Sequence, residues 1–179
     1  MLNEGDFTYE ILPDGSLELT GWDGECETLV LPSIIAGRTV TSIGRMDTGY
    51  SRHLYEMVNQ TVLKKVIIPD TVTSISDFAF GAFGEFESIV VPDSVLHIGQ
   101  NPFIPCEKLE INNDHPYLSL IDDVLYINND RRLVWCSKLK QTDEYIIPDG
   151  VTEIGYKAFE NCNGINRIVI PESVNHIEK

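Results

Sequence analysis

The sequence lacks most of what announces a chemical reaction. It has no G-x-G-x-x-G or Walker-type glycine loop for a nucleotide, and no G-x-S-x-G elbow for a nucleophilic serine. Its four cysteines, Cys26, Cys106, Cys136 and Cys162, form no C-x-x-C pair, which removes the zinc-ribbon and thioredoxin-type patterns. Basic residues are scarce: 13 Lys and Arg against 28 Asp and Glu give a formal net charge of −15. No basic stripe is present to neutralise a phosphate backbone, so nucleic acid and anionic membrane surfaces are disfavoured as partners. A surface this acidic keeps a protein soluble and is compatible with a basic protein partner or bound calcium. Apolar runs are short, well below the ~18 residues of a membrane span. The opening Met1-Leu2-Asn3-Glu4-Gly5-Asp6 has neither the basic region nor the apolar stretch of a signal peptide. The chain is therefore read as either cytoplasmic or already stripped of a leader.

What the sequence does have is self-similarity. Val66-Ile67-Ile68-Pro69-Asp70-Thr71-Val72-Thr73-Ser74-Ile75 is followed by Val90-Val91-Pro92-Asp93-Ser94-Val95-Leu96-His97-Ile98, and Pro69 and Pro92 lie 23 positions apart. Pro148 and Pro171 are again 23 apart and head the same pattern, as in Pro148-Asp149-Gly150-Val151-Thr152-Glu153-Ile154-Gly155. A fixed period in the twenties is the mark of a solenoid, in which thin layers stack and each coil contacts only its neighbours. Hydrophobic content of 42% suffices for such a core.

Read in order, the chain is one repeat domain over 1–179. Residues 1–28 form an N-terminal cap, because Phe7-Thr8-Tyr9-Glu10-Ile11 and Leu17-Glu18-Leu19-Thr20 alternate around a Pro13-Asp14-Gly15 turn and read as a β-hairpin. Trp22 is expected to pack over the open core. Repeats occupy 29–111, with a loop insertion at 45–62 where Leu54, Met57 and Val58 suggest a helical turn or two. A second hairpin is inserted at 112–142, around Val124-Leu125-Tyr126-Ile127 and Leu133-Val134-Trp135-Cys136. Repeats resume over 143–179, and the last is incomplete, which is read as truncation or as an end covered by something else, a second copy included.

Within a unit, two short strands flank a turn. Val66 and Ile68 point inward, as do Val72 and Ile75; Pro69 cannot donate to a ladder and opens the turn. Ala79-Phe80 closes the coil in a helical or 3₁₀ turn. The glycine after the second strand (Gly44, Gly99, Gly155) is expected at positive φ. Cys106 and Cys162 follow Phe103 and Phe159 by three residues, where the first coil places Phe83 after Phe80. That is an apolar layer position, so buried free thiols are the reading, with disulfides left open.

The residue left over in each first strand gives an outward row, Val30, Ile67, Val90, Ile146 and Val169, read as an unbroken apolar stripe. Strand propensity or a covering hairpin explains such a row; so does a binding surface. The row beside the second strand is polar: Ser42, Ser74, His97, Glu153 and His176. His97 and His176 sit three coils apart by repeat count, roughly 14 Å at about 4.8 Å per coil, too far to share one metal ion. Asp122-Asp123 and Asn128-Asn129-Asp130 are read as turn residues rather than calcium ligands.

The pattern I-x-I-P-[DE]-x-V-x-x-I-G-x-x-A-F-x-x-C, clearest in Ile168-Val169-Ile170-Pro171 and from Val151 through Cys162, resembles the BspA-like (Treponema pallidum-type) leucine-rich repeats of bacterial and protist surface proteins. The resemblance implies a β-rich α/β leucine-rich repeat solenoid, a curved right-handed stack of about five repeats of ~23 residues with a parallel sheet. It also implies adhesion to host proteins or other cells, a cell-surface or secreted location, and no catalytic residues. The resulting expectation is a non-catalytic recognition module for a protein partner, with no cofactor and no metal. Its candidate binding residues are Ile67, Val90, Ile146 and Val169 on the stripe, with Tyr50, Arg52, His53 and Tyr55 on the inserted loop, the Tyr and Arg being types enriched at interface hot spots. The alternative is a structural spacer or self-assembling unit joined through its C-terminal end.

Overall fold

The computed structural model describes residues 2–44, 62–127 and 131–178. Among these residues there are eighteen short strands and no helix. The links that close each coil are hydrogen-bonded turns, as in Ala79 N–H to Ser76 O, Gly81 N–H to Phe78 O and Phe83 N–H to Phe80 O.

The chain begins with an antiparallel meander of β1 (Leu2–Glu4), β2 (Phe7–Ile11) and β3 (Leu17–Trp22). β3 then leads a parallel ladder through β6 (Arg38–Ile43), β8 (Ser74–Ile75) and β10 (His97–Ile98). The first strands of the coils form a second parallel ladder, β4 (Thr28–Val30), β7 (Lys65–Ile67), β9 (Phe86–Val91) and β11 (Cys106–Ile111). The few extra residues of the first coil make a small hairpin between β5 (Ile34–Ile35) and β6. Ala36 and Gly37 turn it, both at positive φ, as a two-residue hairpin loop requires.

The whole order then repeats. β12 (Leu118–Ile121), β13 (Val124–Ile127) and β14 (Arg132–Cys136) form a second antiparallel meander. β14 leads a parallel ladder through β16 (Glu153–Ile154) and β18 (His176–Ile177), while β15 (Thr142–Ile146) pairs with β17 (Ile165–Val169). The inserted hairpin thus does for the second stack what the N-terminal cap does for the first. Asp122 and Asp123 make its first turn, with φ of 52° and 60°, the left-handed pair of a tight hairpin turn and a conformation that aspartate tolerates. The Asp122 carbonyl accepts a 2.7 Å bond from the buried Lys140 ammonium.

Each stack has its own core. Leu29, Val66, Ile89 and Leu109 fill one row of the first, with Val72, Ile75 and Phe80 behind them, all nearly or fully buried. Phe80 stacks on Phe103 of the next coil at 6.1 Å, and Trp22 stacks on Phe83 at 6.1 Å. The same bond opens the second strand of every regular coil: Val72, Val95, Val151 and Val174 N–H each donate to the proline carbonyl three residues earlier. The wall between the stacks is β13 and β14. Leu125, Val134 and Trp135 face the first core, and Val124, Tyr126, Leu133 and Cys136 face the second. Val134 is the extra residue of a bulge, since Leu125 pairs with Trp135 and Tyr126 with Leu133. Two consecutive side chains can therefore face one side.

The glycines after the second strands are not at positive φ, which is confined among the described glycines to Gly5, Gly15, Gly37 and Gly150. They serve close approach instead. A Cβ on Gly44 would lie 2.7 Å from Glu18 Cδ, one on Gly99 would lie 2.4 Å from the Asp77 backbone nitrogen, and one on Gly155 would lie 3.0 Å from the Leu133 carbonyl oxygen.

Candidate functional site

Three surfaces carry unspent chemistry. The first is the outward row of the first-strand ladder. Val30, Ile67 and Val90 are direct cross-strand neighbours. Val30 is 60% exposed, and Ile67 and Val90 are half-buried. The row is not continuous along the chain. On β11 its next member is Glu110, whose carboxylate takes the Lys65 ammonium at 2.8 Å and is held below the usual carboxylate range by that bond. Ile146 (62% exposed) and Val169 (half-buried) form a second patch on their own two-stranded ladder. The sequence pattern joined the two patches because β11 carries no proline and so did not register as a full coil. Tyr50, Arg52, His53 and Tyr55 lie outside the described residues.

The second surface is the polar face of the other ladder. Glu18, Ser42, Ser74 and His97 follow one another across β3, β6, β8 and β10. A groove of about 710 Å³ lies along it.

The third is a charged cluster in which the two stacks meet. Arg132, Glu153 and His176 are successive cross-strand neighbours on β14, β16 and β18, and Glu178 stands beside them. The Arg132 guanidinium reaches both oxygens of Glu178 at 2.9 and 3.0 Å and Glu153 at 3.4 Å. Glu178 also accepts from the Tyr156 N–H at 2.8 Å and from the Gln100 amide at 3.2 Å. The Gln100 bond crosses from the first stack to the second, as do the Asn101 amide to Lys157 O bond and the edge-on Phe78–Tyr156 pair. Glu153, His176 and Glu178 present ligand atoms within 4.8 Å of one another. With Arg132 on both carboxylates, the arrangement is an ion-pair rivet whose cation is already built in. The repeat pattern aligned Glu153 with His176 but gave no sign of Glu178, which falls two residues further on.

The thiols stand apart from all three. Each of the four cysteines is free. Cys106 is buried, and burial pushes its thiol up to about 12. Cys162 donates to the Cys136 carbonyl at 3.5 Å, and the neighbouring Cys136 thiol lowers the pKa of Cys162 while its own is raised.

Residues 135–179 match the family model described as the BspA type leucine rich repeat region (6 copies). That segment, a quarter of the chain, matches BspA-type leucine-rich repeats. A leucine-rich repeat protein from Eubacterium ventriosum superposes with a TM-score of 0.52 at 19% identity, covering 97% of this chain and 60% of that one. This chain thus spans less than two thirds of that protein's length, and at this identity the likeness is one of fold. The T. pallidum leucine rich repeat protein aligns at 18% identity over 96% of this chain and 83% of its own, with a TM-score of 0.42. A leucine rich cell surface protein from Faecalibacterium prausnitzii aligns at 16% identity over 99% and 76%, with a TM-score of 0.36. No curated protein matches the chain. The matched segment holds the coil chemistry above: turns opened by Pro148 and Pro171, paired aliphatic strands and the Ala158-Phe159 closure.

Proposed function

We propose that the BspA-type repeats form a non-catalytic recognition module that holds a protein partner against the first-strand ladder. The observation that carries this reading is the aliphatic row Val30–Ile67–Val90, in which Val30 is 60% exposed and Ile67 and Val90 are half-buried. A row of β-branched residues on a flat parallel ladder offers apolar contact at little entropic cost, and exposed contiguous apolar surface favours association. The Lys65–Glu110 pair beside it supplies a polar rim. Family membership also supports a surface or secreted setting, and leucine-rich repeat proteins generally act by binding. No helix among the described residues is long and apolar enough to cross a membrane.

The test is surface plasmon resonance over immobilised extracellular-matrix proteins and neighbouring-cell surface extract, with wild type beside Ile67→Asp/Val90→Asp and Ile146→Asp/Val169→Asp. The first double variant is expected to lose capture by at least about tenfold, the equivalent of ~1.4 kcal/mol. Equal capture by all three removes the rows from consideration. A second reading, self-assembly through the last coil, rests on Ile170 and Ile177, 47% and 52% exposed. Light scattering across a concentration range tests it, and a strict monomer counts against it.

A further inference from the structure

The groove on the second ladder has a lining unlike the rest of the surface. Its polar members include Glu10, Glu18, Thr20, Ser76, Asp77 and His97, and its lining contains no lysine, no arginine and no Phe, Tyr or Trp. Two of its carboxylates are placed rather than loose. Glu18 accepts from the Ser42 hydroxyl at 2.9 Å through Oε1, and Asp77 accepts from the Gln100 N–H at 2.6 Å through Oδ1. Each keeps a second oxygen for something else. The glycines of the following coils make room for them: a Cβ on Gly44 would collide with the Glu18 carboxylate and one on Gly99 with Asp77 Oδ1. The fold thus spends two side chains on seating two negative charges.

Thr20 supplies the independent sign of a ligand. It lines the groove and is only 5% exposed, yet its hydroxyl has no hydrogen-bond partner. A buried hydroxyl left unpaired costs about 1–3 kcal/mol, and native structures rarely leave one without a use.

The spacing decides the kind of ligand. Among the described residues, the only set of three or more ligand atoms close enough to share one metal ion is Glu153, His176 and Glu178. Glu10 and Glu18 are cross-strand neighbours on β2 and β3, Asp77 follows β8 two strands away, and no three of the groove's ligand atoms share one point, so the groove suits a chain carrying more than one positive charge. A sugar would want a Trp, Tyr or Phe platform, and the lining has none. We propose that this groove binds an extended basic peptide segment, its lysine or arginine side chains on Glu10, Glu18 and Asp77 and a polar peptide group on the Thr20 hydroxyl. This surface belongs to a different ladder from the aliphatic rows, so the two readings stand or fall separately.

The test is fluorescence anisotropy of labelled hexalysine and hexaarginine titrated with the full chain at low salt. Glu10→Gln/Asp77→Asn should weaken binding by about tenfold or more. Glu25→Gln/Glu172→Gln removes the same charge at exposed sites away from the groove and should keep wild-type affinity. Thr20→Val should weaken binding about three- to tenfold, the worth of one hydrogen bond, while raising Tm because the unpaired hydroxyl is gone. The proposal is overturned if wild type binds neither peptide, if the two charge-removing pairs weaken binding equally, or if Thr20→Val raises Tm without changing affinity. Displacement of the peptide by Mg²⁺ more readily than by Na⁺ at equal ionic strength would also overturn it, since it would mark a metal site.

Discussion

Leu125 and Tyr126 are adjacent on β13, and their side chains lie in different hydrophobic cores. Leu125 is fully buried in the first stack, and Tyr126 points into the second, its hydroxyl 2.5 Å from that of Tyr145. The alternation of a strand makes this possible, because successive side chains leave opposite faces. A single hairpin can then close one solenoid and open another.

That arrangement separates the effects of two equivalent truncations. Leu125→Ala and Leu133→Ala each remove a fully buried leucine from the same wall and should each cost about 2–5 kcal/mol. Leu125→Ala should speed amide exchange in β9 and β11, which bound the first core. Leu133→Ala should speed it in β16 and β18, because repeat arrays transmit stability through nearest neighbours. Native-state hydrogen exchange read by mass spectrometry checks this. Faster exchange in β9 and β11 from Leu133→Ala, equal to that in β16 and β18, would contradict a two-core wall.

The coils were legible in the sequence because their chemistry is local. Pro69, Pro92, Pro148 and Pro171 mark the same turn at fixed spacing, and the aliphatic pairs around them alternate. The wall was legible only as a hairpin. Its strands are buried on both faces, so Val124-Leu125-Tyr126 and Leu133-Val134-Trp135-Cys136 read as plain apolar runs with no sided pattern. Its kinship with the N-terminal meander was hidden by different turn chemistry, Gly5-Asp6 in one and Asp122-Asp123 in the other. The basic-peptide groove was illegible for another reason. Glu10 and Glu18 come from the N-terminal meander and Asp77 from a later coil, and their best sequence trace, Gly44 and Gly99, suggests positive φ when the glycines in fact make space.

The rivet between the stacks predicts a pH dependence with two opposite parts. Burial pushes the Glu153 carboxyl up, and the neighbouring Glu178 adds to it. At Glu178 burial acts the same way, but the Tyr156 N–H, Glu153 and Arg132 outweigh it and hold that carboxyl below its ordinary value. A depressed carboxyl stabilises the fold above its unfolded pKa, about 4.3 for Glu, and the gain is lost as pH falls through the folded value. A raised carboxyl does the reverse, weakening the fold once pH exceeds the unfolded value. Glu178→Gln should therefore lower Tm near pH 7 and matter progressively less on acidification. Glu153→Gln should raise Tm near pH 7 and converge with wild type in acid, where the native carboxyl is itself protonated. Thermal melts of both variants at several pH values test the signs, and a Glu153→Gln that destabilises near pH 7 would mean the Arg132 pairing dominates instead.

The thiols should react in an order set by their surroundings. Cys106 sits in a core layer with its thiol pushed up to about 12 by burial, so it carries almost no thiolate near neutral pH and has no path to reagent. Cys162 is half-buried, and the hydrogen bond from Cys136 lowers its pKa against the effect of its own burial. The same bond, together with burial, raises Cys136. Since the thiolate is the nucleophile, iodoacetamide should label Cys162 ahead of Cys136, and Cys106 only when the first stack unfolds. Cys136→Ala removes the donor, so the Cys162 thiol should rise and its labelling should slow severalfold, whereas Cys136→Ser keeps a hydroxyl donor and should preserve the rate. Site-resolved labelling by mass spectrometry distinguishes these cases. Labelling of Cys162 that is indifferent to both substitutions would show that access alone, and not the paired thiol, governs its reactivity.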